Sequence, residues 1–186
     1  MIRISNFLNL RSTGLLALGI LVVAAMLLAS CSNPEHENRY AYDSTWAMMP
    51  FTKLNDVNPI LEASDGVFTC PILNQAVKWE EKDVFNPAAV FRNGAIYLFY
   101  RAEDTIGKYA GTSRIGLAMG SDGVNFTRMR EPIVYPAEDF MKVYEWEGGI
   151  EDPRIVESAM GTYMMTYSAY DGKTARMCLA SSYRFA

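Results

Sequence analysis

Ala88-Ala89-Val90-Phe91-Arg92-Asn93-Gly94-Ala95-Ile96-Tyr97-Leu98-Phe99-Tyr100 is the stretch that decides the fold. Two runs of apolar and aromatic residues flank Asn93-Gly94, the dipeptide that most readily supplies the two left-handed residues of a tight hairpin turn. The pattern predicts a β-hairpin. Working outward, Arg114 to Met119 predicts a further strand, followed by the turn Ser121-Asp122-Gly123. Arg154 to Glu157 and Thr162 to Ser168 predict another pair around Met160-Gly161. No long stretch after the N-terminal segment carries the 3.6-residue apolar period of an amphipathic helix. The chain reads as all-β.

The strands also repeat. Ala95 to Ala102 can be laid over Thr162 to Ala169, with Gly94 and Gly161 in register before them, and Arg114 to Ala118 matches Arg176 to Ala180. The offset, about 60 to 67 residues, suits a four-stranded propeller blade with long loops. A propeller closes from roughly four to eight blades, whereas about two are present here. The expectation is a C-terminally truncated product carrying only the first two blades, with residues 46–186 as the N-terminal part of the propeller.

The N-terminus reads as an export signal. Arg3 and Arg11 precede an apolar run from Leu15 to Leu28, and Ala29 and Ser30 lead into Cys31. A basic start, an apolar core and small residues at the cut describe a secretory signal, and Leu28-Ala29-Ser30-Cys31 resembles a lipobox. The expected organisation is a signal peptide at 1–30, lipidation at Cys31 and a polar tether over 31–45. Acyl chains contribute about 0.8 kcal/mol per buried CH₂, so the lipid would hold the chain at a membrane. Ser32, which is not acidic, points to the outer membrane. Removing Arg3 and Arg11 takes the formal net charge from −4 to −6, which argues against a nucleic-acid partner. Cys70 and Cys178 then remain and read as free thiols rather than a disulfide.

Residue types limit the chemistry. The single histidine, His36, lies in the tether, so Ser-His-Asp and Cys-His arrangements are excluded for the domain. No Cys/His metal cluster and no phosphate-cradling glycine loop is present in the sequence. Carboxylates, arginines and tyrosines remain, the groups with which glycosidic bonds are cleaved. The densest block is Glu145-Trp146-Glu147-Gly148-Gly149-Ile150-Glu151-Asp152-Pro153-Arg154. Its glycines allow close turning of the backbone, and Pro153 is expected to hold Asp152 extended at a strand entry. On composition alone the same block also fits a solvated acidic loop.

Gly149-Ile150-Glu151-Asp152-Pro153-Arg154-Ile155, with Phe85-Asn86-Pro87-Ala88-Ala89-Val90, Tyr97 to Ala102 and Ser113 to Ala118, resembles glycoside hydrolase family 130 over roughly residues 55 to 186. The resemblance implies a five-bladed β-propeller acting on β-linked mannosides with inversion at the anomeric carbon. It implies Asp152 as the acid, its proton reaching the glycosidic oxygen through the sugar's 3-hydroxyl. Asn86 and Arg101 match the family's contacts to the mannose beside the scissile bond. Arg154 is expected to orient Asp152, contact ligand or form a salt bridge. Asp104 and Glu151 are candidates for sugar hydroxyls, and Tyr170, with Tyr144 and Trp146, for stacking on a sugar ring.

The family holds both hydrolases and phosphorylases. A phosphorylase needs converging cations for a phosphate dianion, and a hydrolase needs a base to activate water. Ser168-Ala169-Tyr170-Asp171-Gly172-Lys173 carries an acid and no arginine, and Lys173 is a lone point charge. With export, this favours an inverting hydrolase acting on mannan-derived oligosaccharides. The alternatives are a phosphorylase releasing mannose 1-phosphate, or a non-catalytic surface glycan-binding lipoprotein. No cofactor is implied, and inorganic phosphate enters only as a cosubstrate of the phosphorylase.

Overall fold

The computed structural model describes residues 51–109 and 111–183; the signal peptide, Cys31 and the tether lie outside the described residues. A short hairpin comes first, β1 (Val67–Cys70) and β2 (Gln75–Lys78). The first blade follows as β3 (Asp83–Arg92), β4 (Ala95–Glu103), β5 (Ser113–Gly120) and β6 (Thr127–Arg128). A single helical turn, α1 (Lys142–Glu145), leads into the second blade, β7 (Gly149–Glu157), β8 (Tyr163–Tyr170) and β9 (Ala175–Ser182). Both blades are antiparallel meanders, β3-β4-β5-β6 and β7-β8-β9. The described residues form two blades and no closed ring. No helix among them is long and apolar enough to cross a membrane.

The deciding hairpin forms as its sequence predicts. β3 and β4 are joined by Asn93 (φ 51°) and Gly94 (φ 77°), and two consecutive left-handed residues match the right-handed twist of the flanking strands. The predicted strand at Arg114 to Met119 and the pair around Met160-Gly161 are present as β5, β7 and β8.

β4 is buried on both faces, which explains its nearly unbroken apolar run. Leu98, Tyr100 and Ala102 face one core with Phe68, Cys70, Val77 and Trp79 of the hairpin region. Phe99 faces a second core with Ile115, Leu117, Ile150, Met165, Tyr167 and Ala169, shared with the second blade. The period-2 alternation of a strand divides these residues between two layers, so the first blade lies between the hairpin and the second blade. Each large apolar side chain so buried contributes roughly 1.5–3 kcal/mol. Cys70 and Cys178 are both free thiols.

The repeat extends to side-chain detail. In the β4–β5 loop, Asp104 Oδ1 accepts from the amides of Ile106 (3.1 Å) and Thr112 (2.8 Å), and Arg114 Nη1 donates to Asp104 Oδ2 (2.6 Å) and to the Thr112 carbonyl (3.1 Å). In the β8–β9 turn, Asp171 Oδ1 accepts from the amides of Lys173 and Thr174, both at 2.8 Å, and Arg176 Nη1 donates to Asp171 Oδ2 (2.8 Å) and the Thr174 carbonyl (3.0 Å). The same Asp–Thr–Arg clasp therefore closes the corresponding turn in each blade. The backbone amides of Thr174 and Lys173, with Arg176, hold the Asp171 carboxyl down at about 2.

The blades meet at one backbone contact. Ser113 at the head of β5 pairs in parallel with Gly149 at the head of β7, and the Ser113 amide donates to the Gly148 carbonyl (2.9 Å). A Cβ on Gly149 would lie 2.3 Å from the Ser113 amide nitrogen. The paired glycines therefore serve close backbone approach between blades as well as a turn.

Candidate active site

β3 and β7, the first strands of the two blades, approach each other and carry the same irregularity. Strand register shifts between Phe85 and Ala88 in β3, and between Glu151 and Arg154 in β7. At each bulge a residue before proline adopts left-handed backbone: Asn86 (φ 46°) before Pro87 and Asp152 (φ 51°) before Pro153. The expectation that Pro153 holds Asp152 extended is therefore overturned. A β-bulge re-aims the chain locally, and Asn and Asp are the non-glycine residues that best tolerate this conformation. The tertiary bulge wins over the local preference that proline imposes.

The bulges bring distant residues together. Asn86 Nδ2 donates to Asp152 Oδ1 at 2.7 Å. Arg101, from β4, reaches the same oxygen with Nη1 at 3.2 Å. Its Nη2 donates to Glu103 Oε1 (2.6 Å) and to Glu151 Oε1 (2.8 Å), and its Nε donates to Ser113 Oγ (2.9 Å). The guanidinium lies over the Phe85 ring, 4.6 Å from its centroid. Glu103 is further held by Ser113 Oγ (3.0 Å) and Lys82 Nζ (2.8 Å). In a regular strand Glu151 and Asp152 would point to opposite faces; here the bulge turns both carboxylates onto one arginine.

The electrostatics of the three acids differ. Burial pushes the Asp152 carboxyl up, but the hydrogen bonds from Asn86 and Arg101 and the charges of Arg101 and Arg154 outweigh it, leaving the group below its ordinary value. Burial acts likewise on Glu103 and is outweighed by Lys82, Arg101 and Ser113, so it too is lowered. Glu151 is raised, first by burial; Arg101 opposes this, and the charges of Asp152 and Glu103 add to it.

Asn86, Arg101 and Asp152 are thus assembled, with Glu151 beside them. Asp104 is not. It is fully buried, and both its oxygens are committed to the clasp with Arg114, so the expectation that it meets sugar hydroxyls is corrected to a structural role. Arg154 is exposed and bonds the Pro153 carbonyl (2.8 Å); it forms no ion pair among the described residues and acts on Asp152 only through its charge. Tyr170 is half-buried, packed over Gly148 and 6.3 Å from the Tyr109 ring. Tyr144 lies beneath the Arg176 guanidinium, and Trp146 packs against the first core. Sequence reasoning missed Glu103, Ser113 and Lys82. The i,i+2 spacing of Arg101 and Glu103 on one face of β4 was the available signal.

Residues 52–186 match a family model described as beta-1,4-mannooligosaccharide phosphorylase, Glyco_hydro_130. The chain belongs to glycoside hydrolase family 130. It is 39% identical over 114 residues to a 1,2-beta-oligomannan phosphorylase of Thermoanaerobacter sp. (strain X514), covering 56% of this chain and 36% of that protein. A glycosyl hydrolase from Bacteroides ovatus superimposes with a TM-score of 0.69 at 40% identity, covering 74% of this chain and 39% of the other. A third relative superimposes with a TM-score of 0.70 at 41% identity, covering 74% and 39% of the two chains. It comes from work stating that the family of mannoside phosphorylases contains glycoside hydrolases that target beta-1,2 mannosidic linkages in Candida mannan. The family fold is a five-bladed β-propeller, of which the described residues form two blades. The chain spans well under two thirds of the length of these relatives.

Proposed function

We propose that the protein cleaves β-linked mannosides in mannan-derived oligosaccharides, with Asp152 as the acid and Asn86 and Arg101 holding the sugar beside the scissile bond. The observation that carries this reading is the convergence of Asn86 and Arg101 on one oxygen of Asp152, in a chain of this family. In the free protein Oδ1 is the anchored oxygen, and Oδ2 is the one open to a substrate hydroxyl. Inversion requires a second group on the opposite face of the sugar. Glu103 and Glu151 are tied to the same guanidinium as Asp152, so neither stands opposite it, and the base or phosphate site belongs elsewhere in the protein.

Hydrolysis is the favoured outcome. Asp171 and Arg176, in the turn after β8, are committed to each other, which leaves Lys173 as the only unpaired cation of that turn. Export through the N-terminal signal, with lipid at Cys31 and an outer-membrane address, would place the protein where free phosphate is a less dependable cosubstrate than in the cell. Phosphorolysis is the second reading, supported by the names of the family model and of the Thermoanaerobacter relative. Incubation of the full chain with β-1,2- and β-1,4-mannobiose, with and without inorganic phosphate, decides between them. Mannose released without phosphate supports hydrolysis, and mannose 1-phosphate formed only with phosphate supports phosphorolysis. Binding without turnover in either condition refutes both and leaves a glycan-binding lipoprotein.

A further inference from the structure

Three carboxylates, Glu103, Glu151 and Asp152, surround Arg101, and Lys82 supplies the second positive charge in direct contact with them. If all three acids were ionised, one negative charge would have no cation in direct contact, Arg154 acting on Asp152 only at a distance. The hydrogen bonds identify which. Glu103 accepts from Arg101, Ser113 and Lys82; Asp152 accepts from Asn86 and Arg101. Among the described residues Glu151 accepts only from Arg101 Nη2, a nitrogen it shares with Glu103. It is also the less exposed of the two bulge acids, with a side chain 17% exposed against 40% for Asp152. A buried carboxylate with the fewest donors is the one that keeps a proton.

We propose that Glu151 holds the exchangeable proton of the unliganded site and supplies it to Asp152 when a sugar draws Asn86 and the Nη1 of Arg101 onto its hydroxyls. The inference rests on the reading of Asp152 as the acid. In the step, the O–H bond at Glu151 breaks and an O–H bond at Asp152 forms. The negative charge passes to Glu151, which keeps Arg101 Nη2. Asp152 in the free protein is held as a carboxylate by two donors on one oxygen, an arrangement unsuited to an acid. Removal of those donors by substrate makes it basic enough to take the proton. The charged groups acting on Glu151 are Arg101 and Glu103 on β4 and Asp152 on β7; Lys82 lies against Glu103, and Arg154 acts on Asp152. β3, β5 and β8 contribute the neutral Asn86, Ser113 and Ser168. The raised Glu151 and lowered Asp152 agree with this assignment.

The test is a carbon-13 titration of side-chain carboxyls in the unmutated full chain, with E151Q and D152N used only to assign resonances and E151D replacing E151Q should that variant not fold. Glu151 titrating above an ordinary glutamate and above Asp152 is the expected result. Glu151 at or below the ordinary glutamate value, or below Asp152, overturns the proposal. A pH profile of β-mannoside cleavage tests the supply step. E151Q is expected to lower kcat at least about tenfold at neutral pH and to move the alkaline limb to lower pH; an unmoved limb in an active enzyme overturns it. A parent chain inactive at every pH refutes the proposed function and with it the supply step, while the titration still decides which acid holds the proton.

Discussion

Asn86 and Asp152 stand 66 residues apart, yet a 2.7 Å hydrogen bond joins them. Each precedes a proline, and each is left-handed at a bulge in the first strand of its blade. The repeated bulge aims two different side chains at each other, one a neutral donor and the other a carboxylate.

Asn86→Ala removes the shorter of the two bonds to Asp152 Oδ1. A single hydrogen bond to a charged group contributes about 1.5–3 kcal/mol at most, and the exposure of this pair places the expected loss of stability near the lower end. The more specific outcome is at Asp152, whose carboxyl should titrate closer to its ordinary value. A carboxyl titration that does not move in this variant would show that the bond has no influence on Asp152.

Arg101→Lys keeps the charge and loses the fork that serves three carboxylates and Ser113. A lysine is a point charge and cannot satisfy these partners together. Stability should fall by about 3 kcal/mol, read from the urea midpoint, and β-mannoside turnover should fall with it. Lys82→Met, which removes the ion pair to Glu103, should cost less than about 1 kcal/mol.

The two Asp–Thr–Arg clasps share their bonds and differ in burial. Arg114 and Asp104 are each 1% exposed, whereas Arg176 and Asp171 are 37% and 19% exposed. Arg114→Ala leaves a buried carboxylate without its partner and should cost about 3–5 kcal/mol. Arg176→Ala should cost about 1 kcal/mol or less. Equal losses would show that burial is not what separates them.

Stability should depend on pH in both directions. Asp152 and Glu103 are lowered in the fold, so their contribution is present above the unfolded values and is lost as pH falls through the folded ones. Glu145 is raised, first by burial, against its hydrogen bond from Tyr167 and with the charge of Asp139 adding to it. Its contribution is present below the unfolded value and is lost as pH rises through the folded one. Urea midpoints between about pH 3 and pH 8 should therefore peak in the weakly acid range. Glu145→Gln should make the alkaline arm shallower, Glu151 supplying the rest of it, and leave the acid arm unchanged.

Hairpins were legible because their signals are local: Asn93-Gly94 fixes a turn, and β4 declares its double burial by carrying Ile96 to Tyr100 without a polar break. The repeat was legible for the same reason, and Asp152 stood out in an acid-rich block beside a proline. The bulge conformation of Asp152 was not legible, because proline argues locally for an extended residue and only contacts between strands overrule it. Asp104 misled because an acid in a loop looks solvated until the arginine ten positions on is known to fold back over it. Glu103 and Ser113 went unseen because their importance comes from a guanidinium placed between blades.

Ser113 gives the blade junction a further meaning. Its backbone binds the second blade through Gly148 and Gly149, and its hydroxyl holds Arg101 and Glu103. The arginine belongs to the first blade, and two of its acids belong to the second. Under the proposed function the site therefore acts as a gauge of docking: any strain that parts the blades disconnects donors from acids while each sheet is still intact, and turnover is expected to fail ahead of secondary structure.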